Sequence, residues 1–173
     1  LMILNSIAFE GIIERWVRDH LVHFKLSDKE GDLHNSENGF FYAHMGWLLC
    51  DKHSRTKSFG KSVSIKDVTD DPVVQIQSSL GLPWLLFWCF GMTTIFGVYI
   101  NPTMSYYDSF LIYGMLRWLL LLHGTWCVNS VAHFYGMRKF NHNTPPRDQG
   151  WFFNSITAGE MYHDYHHAFP KCY

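Results

Sequence analysis

The sequence predicts an all-α fold in which integral membrane helices are capped by a cytosolic helical domain. The 173 residues are 47% hydrophobic and 17% charged, against a charged share of about 25% in soluble domains. The charges are also segregated, since 20 of the 29 Asp, Glu, Lys and Arg residues lie in 1–71 and 7 in 138–173. Only Asp108 and Arg117 lie between them. An apolar middle between charged flanks is typical of a membrane protein.

Two apolar stretches, 79–100 and 109–133, are the predicted transmembrane helices. Each is long enough, because about 20 apolar residues span the hydrocarbon core of a bilayer. The turn between them is too short to fold as a domain, so the two helices form a hairpin. Residues 1–13 are expected to be the end of a preceding transmembrane helix, which continues as a helix through 14–25.

The lysines and arginines predict the orientation of the hairpin. Nine lie in 14–78, four lie in 138–173, and the connecting turn has none. The positive-inside rule therefore assigns both flanks to the cytosol. The net charge of −1 argues against a nucleic-acid partner, which requires a basic excess. We expect 1–173 to be a single domain and a fragment that lacks an N-terminal part and a C-terminal piece.

The histidines are numerous, eleven in all, and three groups of polar side chains have helical ligand spacing. Side chains three or four residues apart lie on one face of a helix, and imidazoles so placed can converge on a metal ion with bonds of roughly 2.1 Å. A chance pair on a surface helix is the alternative for the first group, and helix capping for the second. Imidazole suits zinc, copper, iron and nickel, so spacing alone does not name the metal. The groups are His20 with His23, Asn129 with His133, and His163 with His166 and His167.

Four segments carry a resemblance to a known family: WVRDHLVHFK (16–25), DLHNSENGFFYAHMGWLL (32–49), TWCVNSVAHFYG (125–136) and GEMYHDYHHAFP (159–170). The sequence resembles the membrane-bound acyl-CoA desaturases, the stearoyl-CoA (delta-9) desaturase family of insect or other animal type. The resemblance implies four transmembrane helices, a cytosolic helical domain with histidine boxes, and two iron ions (Fe²⁺).

The resemblance also implies the iron ligands. The family binds its irons through nine histidines, with an asparagine acting through water, and two of those histidines belong to a box outside this chain. One further ligand position is Phe24 here, which offers no lone pair. The positions that match are His20, His23, His133, His163, His166 and His167, with Asn129 as the residue that acts through water. We expect the natural protein to be weakly active or inactive, and Phe24→His to restore iron and activity.

Other matched positions are implied to bind substrate. Trp16, Thr125 and Trp126 match residues that line the bend of the acyl tunnel. Arg18 and Asp19 match residues that hold the CoA end. Trp47 and Lys52 match the region that meets the adenosine and phosphates of CoA. Glu160 is a candidate acceptor for a ligand histidine. The histidines that match no iron ligand are expected to be structural or exposed: His34, His44, His53, His123 and His142.

The sequence is therefore interpreted as a stearoyl-CoA 9-desaturase-like oxidoreductase of the endoplasmic reticulum membrane, multi-pass, with its active site facing the cytosol. It would insert a cis double bond, at delta-9, into a saturated acyl-CoA. By resemblance it uses oxygen, with electrons from cytochrome b5 and its reductase. A catalytically impaired relative that keeps acyl-CoA binding, a histidine-box lipid hydroxylase and a purely structural membrane protein remain alternatives.

Overall fold

The computed structural model describes residues 1–170, and these residues form helices without named strands, which confirms the predicted all-α class. The chain divides into two compact units, Leu1–His20 with Val63–Leu122, and Leu21–Ser62 with the chain from His123 onward. Residues 171–173, the end of the predicted cytosolic segment 138–173, lie outside the described part. The helices are α1 (Met2–Ala8), α2 (Ile13–Leu26), α3 (Phe40–His44), α4 (Ser54–Ser62), α5 (Lys66–Thr69), α6 (Pro72–Leu86), α7 (Thr93–Ile100), α8 (Tyr106–Ser109), α9 (Arg117–Asn129), α10 (Val131–Phe134), α11 (Trp151–Ile156) and α12 (His163–Ala168).

Shorter elements join these helices. There are 3₁₀ turns at Ser36–Asn38 and Gly46–Leu49, and π-helical segments at Phe87–Met92 and Phe110–Leu116. The π-helical segments connect α6 to α7 and α8 to α9, and α6 itself is kinked at Gly81, whose backbone is not helical (φ 57°, ψ −141°).

The N-terminal helix is not continuous with α2, so the prediction of one helix running on through 14–25 is wrong. Phe9 ends α1 in the left-handed conformation (φ 55°), and its backbone N–H donates a hydrogen bond to the backbone oxygen of Asn5. Gly11 has φ 106°, a conformation that side chains with a Cβ rarely adopt. The apolar pattern alone did not reveal this break, because apolar residues continue on both sides of it.

Two helices, Pro72–Ile100 and Tyr106–Phe134, are long and apolar enough to cross a membrane. In each helix, only 17% of the apolar 18-residue stretch is buried inside the protein, as expected for surfaces that face lipid. Both helices begin earlier than the predicted 79–100 and 109–133. Asp71 caps the first by accepting a hydrogen bond from Val73 N at 2.7 Å, and its opening turns are too polar to be assigned as membrane.

The two long helices approach closely at Gly97. Ser109 Oγ donates a hydrogen bond to Thr94 O at 2.7 Å across the hairpin. A Cβ added at Gly97 would overlap Ser109 Oγ and the Tyr113 ring. The side chain of any other residue would therefore force the helices apart.

Gly97→Ala is expected to destabilise the hairpin by about 1–3 kcal/mol, the usual cost of overpacking. The measurement is the thermal unfolding midpoint of the detergent-solubilised protein. Gly91→Ala is the matched control, since the nearest atom to its added Cβ would be a Phe87 ring carbon at 3.4 Å. Equal midpoints for the two variants would contradict the close approach.

Arg117, on the second long apolar helix, forms hydrogen bonds to three segments of the first unit. The guanidinium of Arg117 donates hydrogen bonds to the backbone carbonyls of Tyr113 at 2.9 Å, Ile7 at 3.1 Å and Cys89 at 3.0 Å. Charged side chains within membrane helices are normally paired with other side chains or with backbone carbonyls in this way. Arg117 therefore joins α1 to both helices of the hairpin.

Candidate metal centre

Four imidazoles of the second unit converge on a common point. One comes from α2, one from α10 and two from α12: His23, His133, His163 and His167. One ring nitrogen of each lies within 4.8 Å of the ring nitrogens of the other three. His23, His133 and His163 are buried, and His167 is partly buried. We call these four residues the histidine cluster.

The separations between nitrogens in the histidine cluster fit a bound metal ion. His133 Nε2 lies 2.9 Å from His163 Nε2, and His23 Nε2 lies 3.3 Å from His167 Nε2. Two imidazoles bound to one ion at about 2.1 Å have nitrogens about 3.0 Å apart in octahedral geometry and about 3.4 Å apart in tetrahedral geometry. The residues present therefore fit a metal ion such as iron or zinc.

Two buried carboxylates determine which nitrogen of each ring faces the cluster. Asp32 Oδ1 lies 2.8 Å from His23 Nδ1, and Asp28 Oδ2 lies 2.9 Å from His133 Nδ1. An ionised carboxylate only accepts hydrogen bonds, so opposite each ionised carboxylate the Nδ1 carries the proton and donates it. Burial raises the pKa of Asp32. The Nε2 atoms of His23 and His133 are then left with lone pairs directed into the cluster. Carboxylates commonly orient metal-binding histidines in this way.

The loop after α2 holds these carboxylates in place. Asp28 has a left-handed backbone (φ 54°), which Asp tolerates better than most residues. Its N–H donates to Asp32 Oδ2 at 2.8 Å, and Asp28 Oδ1 accepts from Ser36 N at 3.1 Å and Ser36 Oγ at 2.5 Å. The same carboxylates thus fix both the loop and the two histidines.

Burial and hydrogen bonding shift the pKa values of groups in the centre. Burial, and then the neighbouring imidazoles, hold the pKa of His163 and that of His167 well below the usual range. Burial acts to raise the pKa of Asp28, but hydrogen bonds from His133 and Ser36 outweigh it and lower this pKa. Metal binding requires deprotonated ligands. Neutral His163 and His167 together with an ionised Asp28 are the state in which a cation binds.

Helix α12 is positioned by two further buried carboxylates. Asp148 Oδ1 accepts from the backbone N–H groups of Asp164 at 2.9 Å and Tyr165 at 3.3 Å, in the first turn of α12. Asp164 accepts from three consecutive backbone N–H groups in 139–141. Backbone bridges also join Asp148 to Met137 and Tyr162. These contacts fix the start of the helix that carries His163 and His167.

Asp28→Asn is expected to weaken metal binding by about 10–100-fold, as loss of a group that orients a ligand typically does. Asparagine tolerates the left-handed backbone, but its amide carries no charge to hold the proton on His133 Nδ1. The measurement is the Fe²⁺ dissociation constant by chelator competition under anaerobic conditions. Glu30→Gln is the matched control, because Glu30 is an exposed carboxylate of the same loop. Unchanged affinity in Asp28→Asn would contradict the orienting role.

A groove with a volume of about 400 Å³ opens beside the histidine cluster. Its lining includes His167 and Asp28 at the cluster, Phe24, and the cations Lys25 and Lys29. It therefore gives a route from solvent to the cluster.

Phe24 and His166 lie together at one side of the cluster. The Phe24 ring stacks on His167 with centroids 4.7 Å apart, and meets the edge of His166 at 4.9 Å. His166 is not among the four residues whose ring nitrogens lie within 4.8 Å of one another. The structure therefore brings four of the six predicted histidine ligands together and leaves His166 beside them, against a phenyl ring.

The remaining predicted site residues of the first unit lie on the N-terminal part of α2. His20 stacks on Trp16 with ring centroids 4.7 Å apart. Arg18 Nη2 lies 3.1 Å from Glu14 Oε1, and Asp19 Oδ2 lies 3.9 Å from Arg15 Nε.

The second unit contains the other predicted substrate residues. Trp47 and Lys52 line one small cavity of about 10 Å³, which Asp51 and Asp32 also line. Asn129 is the last residue of α9, and the helix is interrupted at Ser130 before α10 begins. Thr125 and Trp126 lie on α9, and the Trp126 ring packs against two histidines that match no iron ligand, His44 and His123.

Sequence reasoning missed three residues of this centre: Asp28, Asp32 and His34. The role of acceptor for a ligand histidine, which was expected of the exposed Glu160, belongs to Asp28 and Asp32. His34 is buried with its ring 4.2 Å from that of His23. Only Asp32 and His34 lie within a segment that carries the resemblance, and no spacing rule connects Asp28 to His133, 105 residues away.

The chain is similar to curated proteins of known activity, although no family model matches it. It is 39% identical to Delta(9)-fatty-acid desaturase fat-6 of Caenorhabditis elegans, 39% to an Acyl-CoA Delta(11) desaturase of Spodoptera littoralis and 37% to Stearoyl-CoA desaturase of Homo sapiens. Each alignment covers 100% of this chain and 48–50% of the relative. The chain thus spans about half the length of the curated relatives it matches. With this identity along its whole length, the chain is a homologue of the animal acyl-CoA desaturases.

Proposed function

We propose that the protein is an acyl-CoA desaturase that inserts a cis double bond into a saturated fatty acyl-CoA at a di-iron centre. The histidine cluster is the observation that carries this proposal. It consists of four imidazoles, held from behind by two buried carboxylates, in a chain that is homologous throughout to acyl-CoA desaturases.

The stoichiometry of the reaction sets what the protein must bring together. Removing two hydrogens from a –CH₂–CH₂– unit and reducing O₂ to two waters also consumes two protons and two electrons. Iron, when bound, supplies the oxygen activation that side chains cannot. The two electrons come from outside, and we assign their delivery to cytochrome b5 and its reductase.

The chain's own residues bind and orient the metal. The histidine cluster supplies imidazole nitrogens, and Asp28 and Asp32 hold two of the rings by Nδ1. We retain His166, and Asn129 through a water, as further ligands. His20 is retained on the resemblance alone.

Substrate recognition is assigned to the predicted positions. Lys52 would attract a CoA phosphate beside Trp47, although Asp51 in the same cavity lining weakens that attraction. Thr125 and Trp126 are assigned to the acyl chain, and Trp16, Arg18 and Asp19 keep their assigned roles by resemblance.

The test is a desaturation assay in microsomes that contain the protein. Stearoyl-CoA, NADH and cytochrome b5 are expected to yield a monounsaturated product with its double bond at delta-9, located by mass spectrometry. The names of the relatives include both delta-9 and delta-11 activities, so the position must be measured. Hydroxylated product without alkene would favour the hydroxylase alternative, and no product with full NADH supply would favour a non-catalytic relative.

We further propose an endoplasmic reticulum location with both flanks in the cytosol. The Lys and Arg distribution supports this orientation. A glycosylation acceptor introduced in 101–108 is expected to be modified, and one introduced near Gly60 is expected to stay unmodified, in a microsomal glycosylation assay. The reverse pattern would contradict the orientation.

Phe24 favours the second candidate function, a desaturase relative with impaired catalysis. Its ring occupies a position where the resemblance implies a ligand, and it contacts His166 and His167. Substituting this residue separates the two candidates.

A further inference from the structure

His34 is buried beside the histidine cluster and carries an unsatisfied polar atom. Its side chain is 9% exposed, and its Nδ1 is buried without a hydrogen-bond partner. Its ring lies 4.2 Å from the ring of His23, on α2. A buried nitrogen without a partner in a native protein calls for an explanation, and a bound water or ion is one.

His34 belongs to a second set of potential metal ligands. One ligand atom from each of His23, Asp32 and His34 lies within 4.8 Å of the other two. Two imidazoles and one carboxylate are a suitable set for Fe²⁺ or Zn²⁺. His23 also belongs to the histidine cluster, where its Nε2 lies 3.3 Å from His167 Nε2, while its Nδ1 faces Asp32. One ring therefore has a nitrogen in each set.

At position 24, where the resemblance implies a ligand, this protein has phenylalanine. There the Phe24 ring stacks on His167 and meets the edge of His166. A phenyl ring offers a cation no lone pair, so an ion beside it lacks one of the nitrogens that the resemblance implies.

We propose that His23, Asp32 and His34 form a distinct metal position that holds the second ion of the centre in this protein. This inference rests on the proposed metal centre, whose first ion is bound by the histidine cluster. His23 Nδ1 and Asp32 Oδ1, which lie 2.8 Å apart, would hold that ion together with His34. The Nδ1 proton of His23 would then pass to solvent, and Asp32 would become a ligand in place of accepting that hydrogen bond.

The experiment is an anaerobic titration of the purified protein with Fe²⁺ alone, with bound iron counted per chain. The unmodified protein is expected to bind two ions, His34→Gln one ion, and His142→Ala two, because His142 is exposed. In a Phe24→His background, His34→Gln is expected to bind two ions again, because the restored imidazole offers the second ion its other position.

The outcomes separate this inference from the proposed function. Two ions bound with unchanged affinity in His34→Gln, or one ion in the unmodified protein, would overturn the second position. No iron in the unmodified protein would overturn the centre itself. Circular dichroism checks the fold of His34→Gln. If that variant does not fold, Asp32→Asn replaces it in the same titration, since one bound ion supports the position and two ions bound with unchanged affinity contradict it.

Discussion

His163→Ala is expected to abolish desaturation and to remove an iron ion, while the protein stays in the membrane. His163 Nε2 lies 2.9 Å from His133 Nε2 inside the histidine cluster, so alanine deletes a ligand from the buried set. Loss of a residue that only orients a ligand costs about 10–100-fold in affinity or activity, and loss of a ligand is expected to cost at least as much. The long apolar helices are untouched by this change. Iron per chain, alkene product and membrane fractionation are the three measurements.

His142→Ala is the matched control for His163→Ala, because His142 is an exposed histidine of the same unit. It is expected to retain iron and turnover. Normal desaturation by His163→Ala would show that the histidine cluster is not the catalytic centre. Loss of the variant from the membrane fraction would mean that His163 is needed for folding, and iron content of the remaining folded protein would then carry the comparison.

Local patterns predicted much of the centre. The three groups with helical spacing, His20 with His23, Asn129 with His133, and His163 with His166 and His167, include all four residues of the cluster, which lie on α2, α10 and α12. The carboxylates behind these rings could not be predicted, because the contact between Asp28 and His133 joins residues 105 positions apart. Periodicity describes one helix at a time and contains no information on such contacts.

The fold was predictable to a similar extent. Hydropathy identified both long helices but not their first turns, since the first helix begins at the Asp71 cap with a polar opening sequence and the second begins at the Ser105 cap. The break at Phe9 and Gly11 depends on left-handed backbone conformations, which apolar composition does not encode.

Phe24→His is expected to increase iron affinity and desaturation by at least about 10–100-fold. This is the usual effect of a group that only orients a ligand, and a ligand itself is expected to contribute at least as much. Phe24 is partly buried, and its ring contacts the rings of His166 and His167. An imidazole in the same place would put a nitrogen lone pair beside these two histidines, in a space that already holds a larger aromatic ring. We therefore expect the natural protein to be weakly active and the variant to gain activity without loss of stability.

Phe24→Leu is the control for this gain, because leucine is apolar and, like phenylalanine, offers no ligand. It is expected to keep the low activity of the natural protein. The measurements are iron retained after dialysis against a chelator and alkene product per chain, for all three forms. Equal iron retention and equal turnover in the natural protein and in Phe24→His would contradict the prediction, and would mean that other groups already complete the catalytic centre. A gain in Phe24→His that Phe24→Leu does not share would instead assign the natural protein's low activity to the missing imidazole, since relief of crowding by the phenyl ring would raise activity in both variants.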